Sequence, residues 1–243
     1  MIHQISTIEE GMQKLFEAGQ HSPVSFRYEF ATSEEILDYL YVGGDKIPVL
    51  KWRYYPKHYT LLKEEVQLGQ LSTLKTLNFS PNTVTMAQVL CRELDLAEFF
   101  LYSKVQSIMG YGNEQAANFI VRMKNGTIMN LEASVTLPTD AKRESKHTIY
   151  STNGMVTDLA ADKVIIQEQV HLFNFGKNPV SFTDHDINLF GLTMDEQDIC
   201  YASYALIDGR EDAEEWKMQG EHLARLVEGA LLTLKTGCKY IAD

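Results

Sequence analysis

Residues 127–135 read Thr-Ile-Met-Asn-Leu-Glu-Ala-Ser-Val, and they alternate. Ile128, Asn130 and Glu132 fall on one side, Met129, Leu131 and Ala133 on the other. A period of two is the geometry of an extended strand with one buried face. Asn125-Gly126 stands just before this run. Asn-Gly between two apolar or alternating stretches is a strong hairpin signal, because a two-residue turn needs positive φ at its centre. Strand candidates at 104–109, 118–123, 147–151, 155–159 and 163–167 surround it, with turns at Asn153-Gly154 and Ala161-Asp162. The middle of the chain therefore has to build a mostly antiparallel sheet. One face packs on helices; the other is partly polar or meets a partner.

Helices bracket this β-rich stretch. Residues 86–102 place Val89, Leu90, Leu94, Ala97, Phe99, Phe100 and Leu101 around much of one helix surface, which predicts a buried helix. A shorter helix is expected over 58–68, ending at Gly69, with a strand over 71–79. Residues 168–194 read as a long connection with one more strand, followed by closing helices at 195–208 and 217–235. The last carries Leu223, Leu226, Val227, Ala230, Leu231 and Leu234 at helical spacing and stops at Gly237. Helices closing over a large open sheet define an α+β domain over 57–243.

Residues 1–56 echo themselves. Thr7, Glu9, Glu10, Leu15, Gly19, Pro23 and Val24 recur twenty-five positions later as Thr32, Glu34, Glu35, Leu40, Gly44, Pro48 and Val49. In each copy a hydroxyl residue can cap a helix and two glutamates favour its first turn. The segment is expected to be two helix–strand units, a small α/β piece with parallel strands.

Twenty-two basic against 33 acidic side chains give a net charge of -11. That excess argues against nucleic acid or an anionic membrane as partner and favours a soluble, cytoplasmic chain. Cys91, Cys200 and Cys238 are widely spaced and form no Cys-x-x-Cys pair, so reduced thiols are expected. No basic region precedes an apolar run at the N-terminus, and no stretch of about 20 apolar residues could span a bilayer.

Several short motifs stand in a telling order. Trp52-Arg53-Tyr54-Tyr55-Pro56 leads into a helix ending Val66-Gln67-Leu68-Gly69. Leu94-Asp95-Leu96, Met123-Lys124-Asn125-Gly126-Thr127, Tyr150-Ser151-Thr152-Asn153-Gly154 and Leu234-Lys235-Thr236-Gly237 follow. In this order, over about residues 47–240, they resemble the C-terminal region of the Gfo/Idh/MocA family of oxidoreductases. The resemblance implies an N-terminal Rossmann domain binding NAD or NADP. It also implies an α+β domain whose open sheet face makes a homo-oligomer interface, and sugar, polyol or related carbonyl substrates.

The departures from that pattern shape the functional expectation. Between Met1 and about Ala31 no Gly-x-Gly-x-x-Gly turn joins a strand to a helix. Residues 1–56 resemble at most the last two helix–strand units of such a domain. The family's Glu-Lys-Pro lysine has no match in context, the nearest residues being Lys46 with Pro48, and Lys51. The family also places an aspartate and, four residues later, a histidine on the buried helix. Anchored on Leu94-Asp95, those positions hold Gln88 and Arg92. Glutamine carries no charge, and arginine does not exchange protons near neutral pH. Gly110-Tyr111-Gly112 follows a strand but precedes another strand, so a hairpin is expected there rather than a cofactor turn.

Arg53, Tyr54, Tyr55, Lys57, His58 and Tyr59 form an aromatic–basic cluster at a strand-to-helix junction. At the end of a parallel strand such a cluster could hold a small polar or anionic ligand; otherwise the aromatics pack and the cations face water. Arg92 pairs with Glu93 or grips a carboxylate or phosphate. Asp184-His185-Asp186 has one imidazole only, and Asp208–Glu215 reads as a solvated acidic loop. The expectation is an oxidoreductase-family module that binds ligand or assembles through its sheet and holds no NAD(P) of its own. The alternative is an active sugar or polyol oxidoreductase whose cofactor site another chain completes. A lyase or isomerase using residues 53–59 ranks third.

Overall fold

The computed structural model describes residues 5–19, 25–65, 68–159, 169–183 and 192–242. The chain divides into two compact units: residues 1–55 with 186–222, and residues 56–185 with 223–243. The sequence reading assigns 186–222 to the second domain, whereas the structure groups it with the N-terminal segment.

In the first unit, α1 (Ile5–Ala18) is followed by β1 (Phe26–Glu29), β2 (Asp38–Val42) and β3 (Asp45–Val49), which form a small antiparallel sheet in the order β1-β2-β3. The first helix–strand copy of the echo is present; the second is not. Residues 33–37 form turns and bends, and the expected helix is replaced by β2. Two causes are visible. Gly43 and Gly44 take φ of 60° and 93° and close a two-residue hairpin between β2 and β3. The buried Asp38 carboxylate accepts from Tyr28 Oη at 2.5 Å and from the Ala31 amide at 2.8 Å, and it pairs with Lys51, which pins the strand start. Tertiary bonding here overrides local helix grammar. A 3-10 turn over Lys51–Tyr54 then ends the segment. Helix α1 buries Ile8, Met12 and Phe16. Phe16 meets Tyr204 of α4 (Met194–Ile207) with ring centroids 5.2 Å apart.

The second unit is the expected α+β body. It runs α2 (Pro56–Glu65), β4 (Leu71–Pro81), α3 (Met86–Leu101), β5 (Val105–Gly112), β6 (Ala116–Met123), β7 (Ile128–Leu137), β8 (Glu144–Ser151), β9 (Gly154–Thr157), β10 (Gln169–Asn174) and β11 (Val180–Thr183). Helix α5 (Ala213–Thr236), whose first residues belong to the other unit, and β12 (Tyr240–Ile241) complete it. Nine strands form one sheet in the order β11-β10-β9-β8-β4-β7-β6-β5-β12. All pairs are antiparallel except β4 with β7. The stretch expected to hold one strand contains two, β10 and β11, while the candidate strand at 163–167 lies outside the described residues.

The alternation in 127–135 is realised in β7. Met129, Leu131 and Ala133 are buried, and Ile128, Asn130 and Glu132 are exposed. On the buried face they join Leu74, Phe119, Val121, Ile149 and Val156, against which α2 and α3 pack. Burying each such side chain stabilises by about 1.5–3 kcal/mol. The opposite face runs Arg122, Ile128, Thr73, Tyr150 across the strands, and one register on, Ile120, Asn130, Lys75. Ile120, Ile128 and Tyr150 remain 48%, 41% and 39% exposed there.

Candidate functional site

Polar residues cluster on the inner face where an apolar core would be expected. β4 contributes Thr76, Asn78 and Ser80, and β8 contributes Ser145 and His147 in register with Asn78 and Thr76. Asp158 follows β9, its amide donating to the His147 carbonyl at 3.1 Å. Lys57 and His58 come from the first turn of α2, and Arg92 and Glu93 from α3. Each of these ten side chains is buried.

Glu93 is the hub. Asn78 Nδ2 donates to its Oε1 at 2.6 Å, and Ser145 Oγ reaches the same oxygen at 3.4 Å. His147 Nε2 lies 2.9 Å from its Oε2, and Arg92 Nε 3.6 Å from its Oε1. On its other side His147 Nδ1 faces Asp158 Oδ2 at 3.5 Å, a charge contact rather than a hydrogen bond. Asp158 accepts from the His147 amide and pairs with Lys57 Nζ at 3.3 Å. Lys57 Nζ also donates to the Ser145 carbonyl at 3.0 Å. The His58 ring stands edge-on to His147, centroids 4.9 Å apart, and Phe100 closes the aromatic wall at 5.8 Å and 5.6 Å.

The electrostatics follow from these contacts. Burial pushes the Glu93 carboxyl pKa up, but His147, then Arg92 and Asn78, outweigh it and hold the group at about 2. Burial likewise opposes ionisation of Asp158, and Lys57 and His147 bring it down to about 2. Burial works against a charged His147, yet the two flanking carboxylates raise its pKa above 6.5. An imidazolium clamped between two carboxylates is a poor base near neutral pH. Gln88, at the expected aspartate position, is spent on the start of α3. Its Oε1 accepts from the Thr85 amide at 3.0 Å, and its own amide donates to Thr85 Oγ1 at 3.2 Å. The arrangement holds three cationic and two carboxylate side chains against one another.

Of the residues expected to touch a ligand, Lys57, His58 and Arg92 lie in this cluster. Arg53 and Tyr55 are half-buried and belong to the other unit. The strand leading to them, β3, is antiparallel, so the parallel-sheet argument for residues 53–59 as one ligand-facing cluster does not apply. Nor do the basic groups at 57 and 58 face water: Lys57 is 6% exposed and His58 fully buried. Tyr54 donates to Glu211 Oε1 at 2.7 Å, and Trp216 Nε1 donates to Oε2 of the same residue at 3.1 Å. Asp212 accepts from the amides of Glu214 and Glu215. The acidic stretch 208–215 is thus partly a helix cap and an aromatic anchor rather than only solvated charge. His147 and Asp158 escaped the sequence reading. The available signal was a histidine at an inward position of an alternating strand, which is too common to single out.

The Gly110-Tyr111-Gly112 turn does not have the surroundings of a dinucleotide-binding turn. Gly110-Tyr111-Gly112 lies in the β5–β6 hairpin, and the space beside Gly112 Cα is filled by Ala116 O and Ala117 Cα, at 2.4 Å and 2.8 Å from where a Cβ would sit. Among the described residues, neither the segment between β3 and α2 nor that between β4 and α3 contains a glycine. Nor do three or more His, Cys, Asp or Glu side chains among the described residues meet in a metal-holding group. Asp184-His185-Asp186 lies outside the described residues. No helix among them is long and apolar enough to cross a membrane.

No family model and no curated protein matches the sequence. The fold, however, has solved counterparts. An oxidoreductase domain protein from Kribbella flavida superposes with TM-score 0.61 at 10% identity, over 80% of this chain and 66% of that one. An oxidoreductase from Agrobacterium radiobacter in complex with NAD+, L-tartaric acid and magnesium gives TM-score 0.60 at 12% identity, over 79% and 63%. A myo-inositol dehydrogenase from Corynebacterium glutamicum gives 0.56 at 14% identity, over 80% and 63%. The chain has the fold of the Gfo/Idh/MocA-type oxidoreductases. It spans 62% to 66% of the length of such structures.

Proposed function

We propose that this chain is a ligand-binding and assembly module on the oxidoreductase fold, without an NAD(P) site of its own. The observation that carries the reading is the state of α3. The two positions where the family pattern asks for proton-handling groups hold a capping glutamine and a buried arginine, Gln88 and Arg92. His147, the one imidazole touching Glu93 there, is clamped between two carboxylates. The site binds a small polar or anionic molecule through its fixed charges. The exposed sheet face with Ile120, Ile128 and Tyr150 joins copies of the chain into a homo-oligomer.

Titrating NADH and NADPH and following nicotinamide fluorescence tests the central claim. No binding at submillimolar concentration is the expected result; saturable binding overturns it. A second reading has its own support: the chain covers only 62% to 66% of neighbours' lengths, and two neighbours are described in complex with NAD. An active sugar or polyol oxidoreductase whose cofactor site another chain completes would bind nucleotide only when that chain is added.

A further inference from the structure

We propose that Asn153 is a site of spontaneous modification, at which the folded chain loses a side-chain amide and gains a negative charge. The sequence holds two Asn-Gly steps, Asn125-Gly126 and Asn153-Gly154. Asparagine is a thermolabile residue, and a following glycine, having no Cβ, leaves its peptide nitrogen open to the asparagine side chain. The glycine nitrogen gives up its proton and bonds to the asparagine Cγ. The Cγ–Nδ2 bond breaks, and the departing nitrogen takes a proton and leaves as ammonia. Water then opens the cyclic imide at either carbonyl, giving aspartate or the isomer whose main chain runs through the side-chain carboxyl, isoaspartate. The net change is one water consumed and one ammonia released, with nothing oxidised or reduced.

The two steps share a sequence, and both asparagines are exposed, but the fold holds them differently. Asn125 Nδ2 donates to the Leu101 carbonyl at 3.0 Å. Its Oδ1 accepts from the Thr127 amide at 3.0 Å and from Thr127 Oγ1 at 2.5 Å. The Gly126 amide, the nitrogen that would attack, donates to the Met123 carbonyl at 3.0 Å. Both side-chain polar atoms and the attacking nitrogen are thus engaged, and these bonds must break before a ring can close. At Asn153 only the main chain is held. Its amide donates to Ser151 Oγ at 3.2 Å, and its carbonyl accepts from the Phe175 amide at 2.8 Å. Its side chain makes no hydrogen bond among the described residues and rests over Gly69, with Nδ2 2.9 Å from where a Cβ would sit. Gly154 pairs with Asn174 of β10 but lies outside the β8–β9 ladder, which starts at Tyr150 opposite Met155. Conversion has a structural consequence. Isoaspartate adds a methylene to the main chain just before Gly154, where a Cβ would already stand 1.9 Å from the Phe173 carbonyl oxygen. The lengthened chain cannot keep that approach and the Phe175 bond together, so β10 loosens from β9.

Peptide mapping by mass spectrometry tests this on the full chain aged at mildly alkaline pH, beside a urea-unfolded sample aged until its Asn-Gly steps have converted. In the folded chain Asn153 is expected to convert roughly tenfold to a hundredfold faster than Asn125, the factor set by the hydrogen bonds that Asn125 must break. In urea the two are expected to convert at similar rates. Asn153→Gln is expected to remove the acidic species seen on ion exchange, because glutamine would have to close a larger ring. The isoaspartate fraction is expected to melt below the native chain. Asn125 converting as fast as Asn153 in the folded chain overturns the proposal, as does an Asn153 that stays intact while the urea sample converts. The same excess of Asn153 over Asn125 in urea removes the fold as its cause. An undiminished acidic species in folded Asn153→Gln places the reaction elsewhere, and an isoaspartate fraction as stable as the native chain rejects the loosening of β10.

Discussion

His147 sets how the stability of this protein responds to pH. Glu93 and Asp158 have ordinary values of 4.5 and 3.8 and are held at about 2 once folded. Their stabilising share is complete above those ordinary values and disappears as pH falls toward 2. His147 is raised above 6.5, so its share is complete below 6.5 and fades as pH rises through the higher folded value. The cluster therefore contributes most between about pH 4.5 and 6.5. Urea unfolding across pH 4 to 9 should show the gap between native chain and His147→Gln narrowing on the alkaline side; a constant gap contradicts the assignment. Glu65 behaves oppositely. Its carboxyl is buried with both oxygens lacking hydrogen-bond partners, and burial pushes its pKa up to about 8. The unfolded chain ionises it from about 4.5 upward, so it costs stability as pH rises toward 8. Glu65→Gln is expected to stabilise by on the order of 1–3 kcal/mol at pH 8 and little at pH 4. An unchanged midpoint at pH 8 rejects that cost.

At the scale of elements, legibility tracked how local the signal was. β7 was readable because alternation and the Asn125-Gly126 turn are written in adjacent residues. There Asn125 Oδ1 accepts from the Thr127 amide at 3.0 Å, and Gly126 takes a φ of 89°. Helix α3 was readable from its apolar surface, and its capping box at Thr85 and Gln88 agrees with the stripe. In segment 32–42 the local helix signal is overruled, because the forces that fix it come from outside it: Tyr28 and Lys51 converge on Asp38 from either side. The polar cluster was half-visible for the same reason. Lys57, His58 and Arg92 announce themselves by charge, whereas His147 and Asp158 gain meaning only when β8 and β9 pair. One close approach is testable. At Gly154 an added Cβ would stand 1.9 Å from the Phe173 carbonyl oxygen, across the β9–β10 pair. Gly154→Ala is expected to cost about 1–3 kcal/mol, as other forced overpacking does. A melting temperature equal to that of the native chain would mean β10 shifts freely.

For the whole molecule, the nine-stranded sheet leaves one face with large apolar side chains in solvent. If that face joins copies, Ile120→Glu should shift sedimentation to a smaller species while leaving the far-ultraviolet circular dichroism unchanged. A native chain that sediments as a monomer would remove the need for such an interface. The parallel pairing in the middle of the sheet has another effect. β4 sits between β7 and β8, and neither is its neighbour in sequence. As the polypeptide leaves the ribosome, residues 71–81 emerge long before either flanking strand exists. Both edges of that strand stay open until residues 128–151 follow, a template for foreign strands during every round of synthesis. Nascent chains stalled short of β7 should therefore be the species that chaperones hold and that aggregates capture.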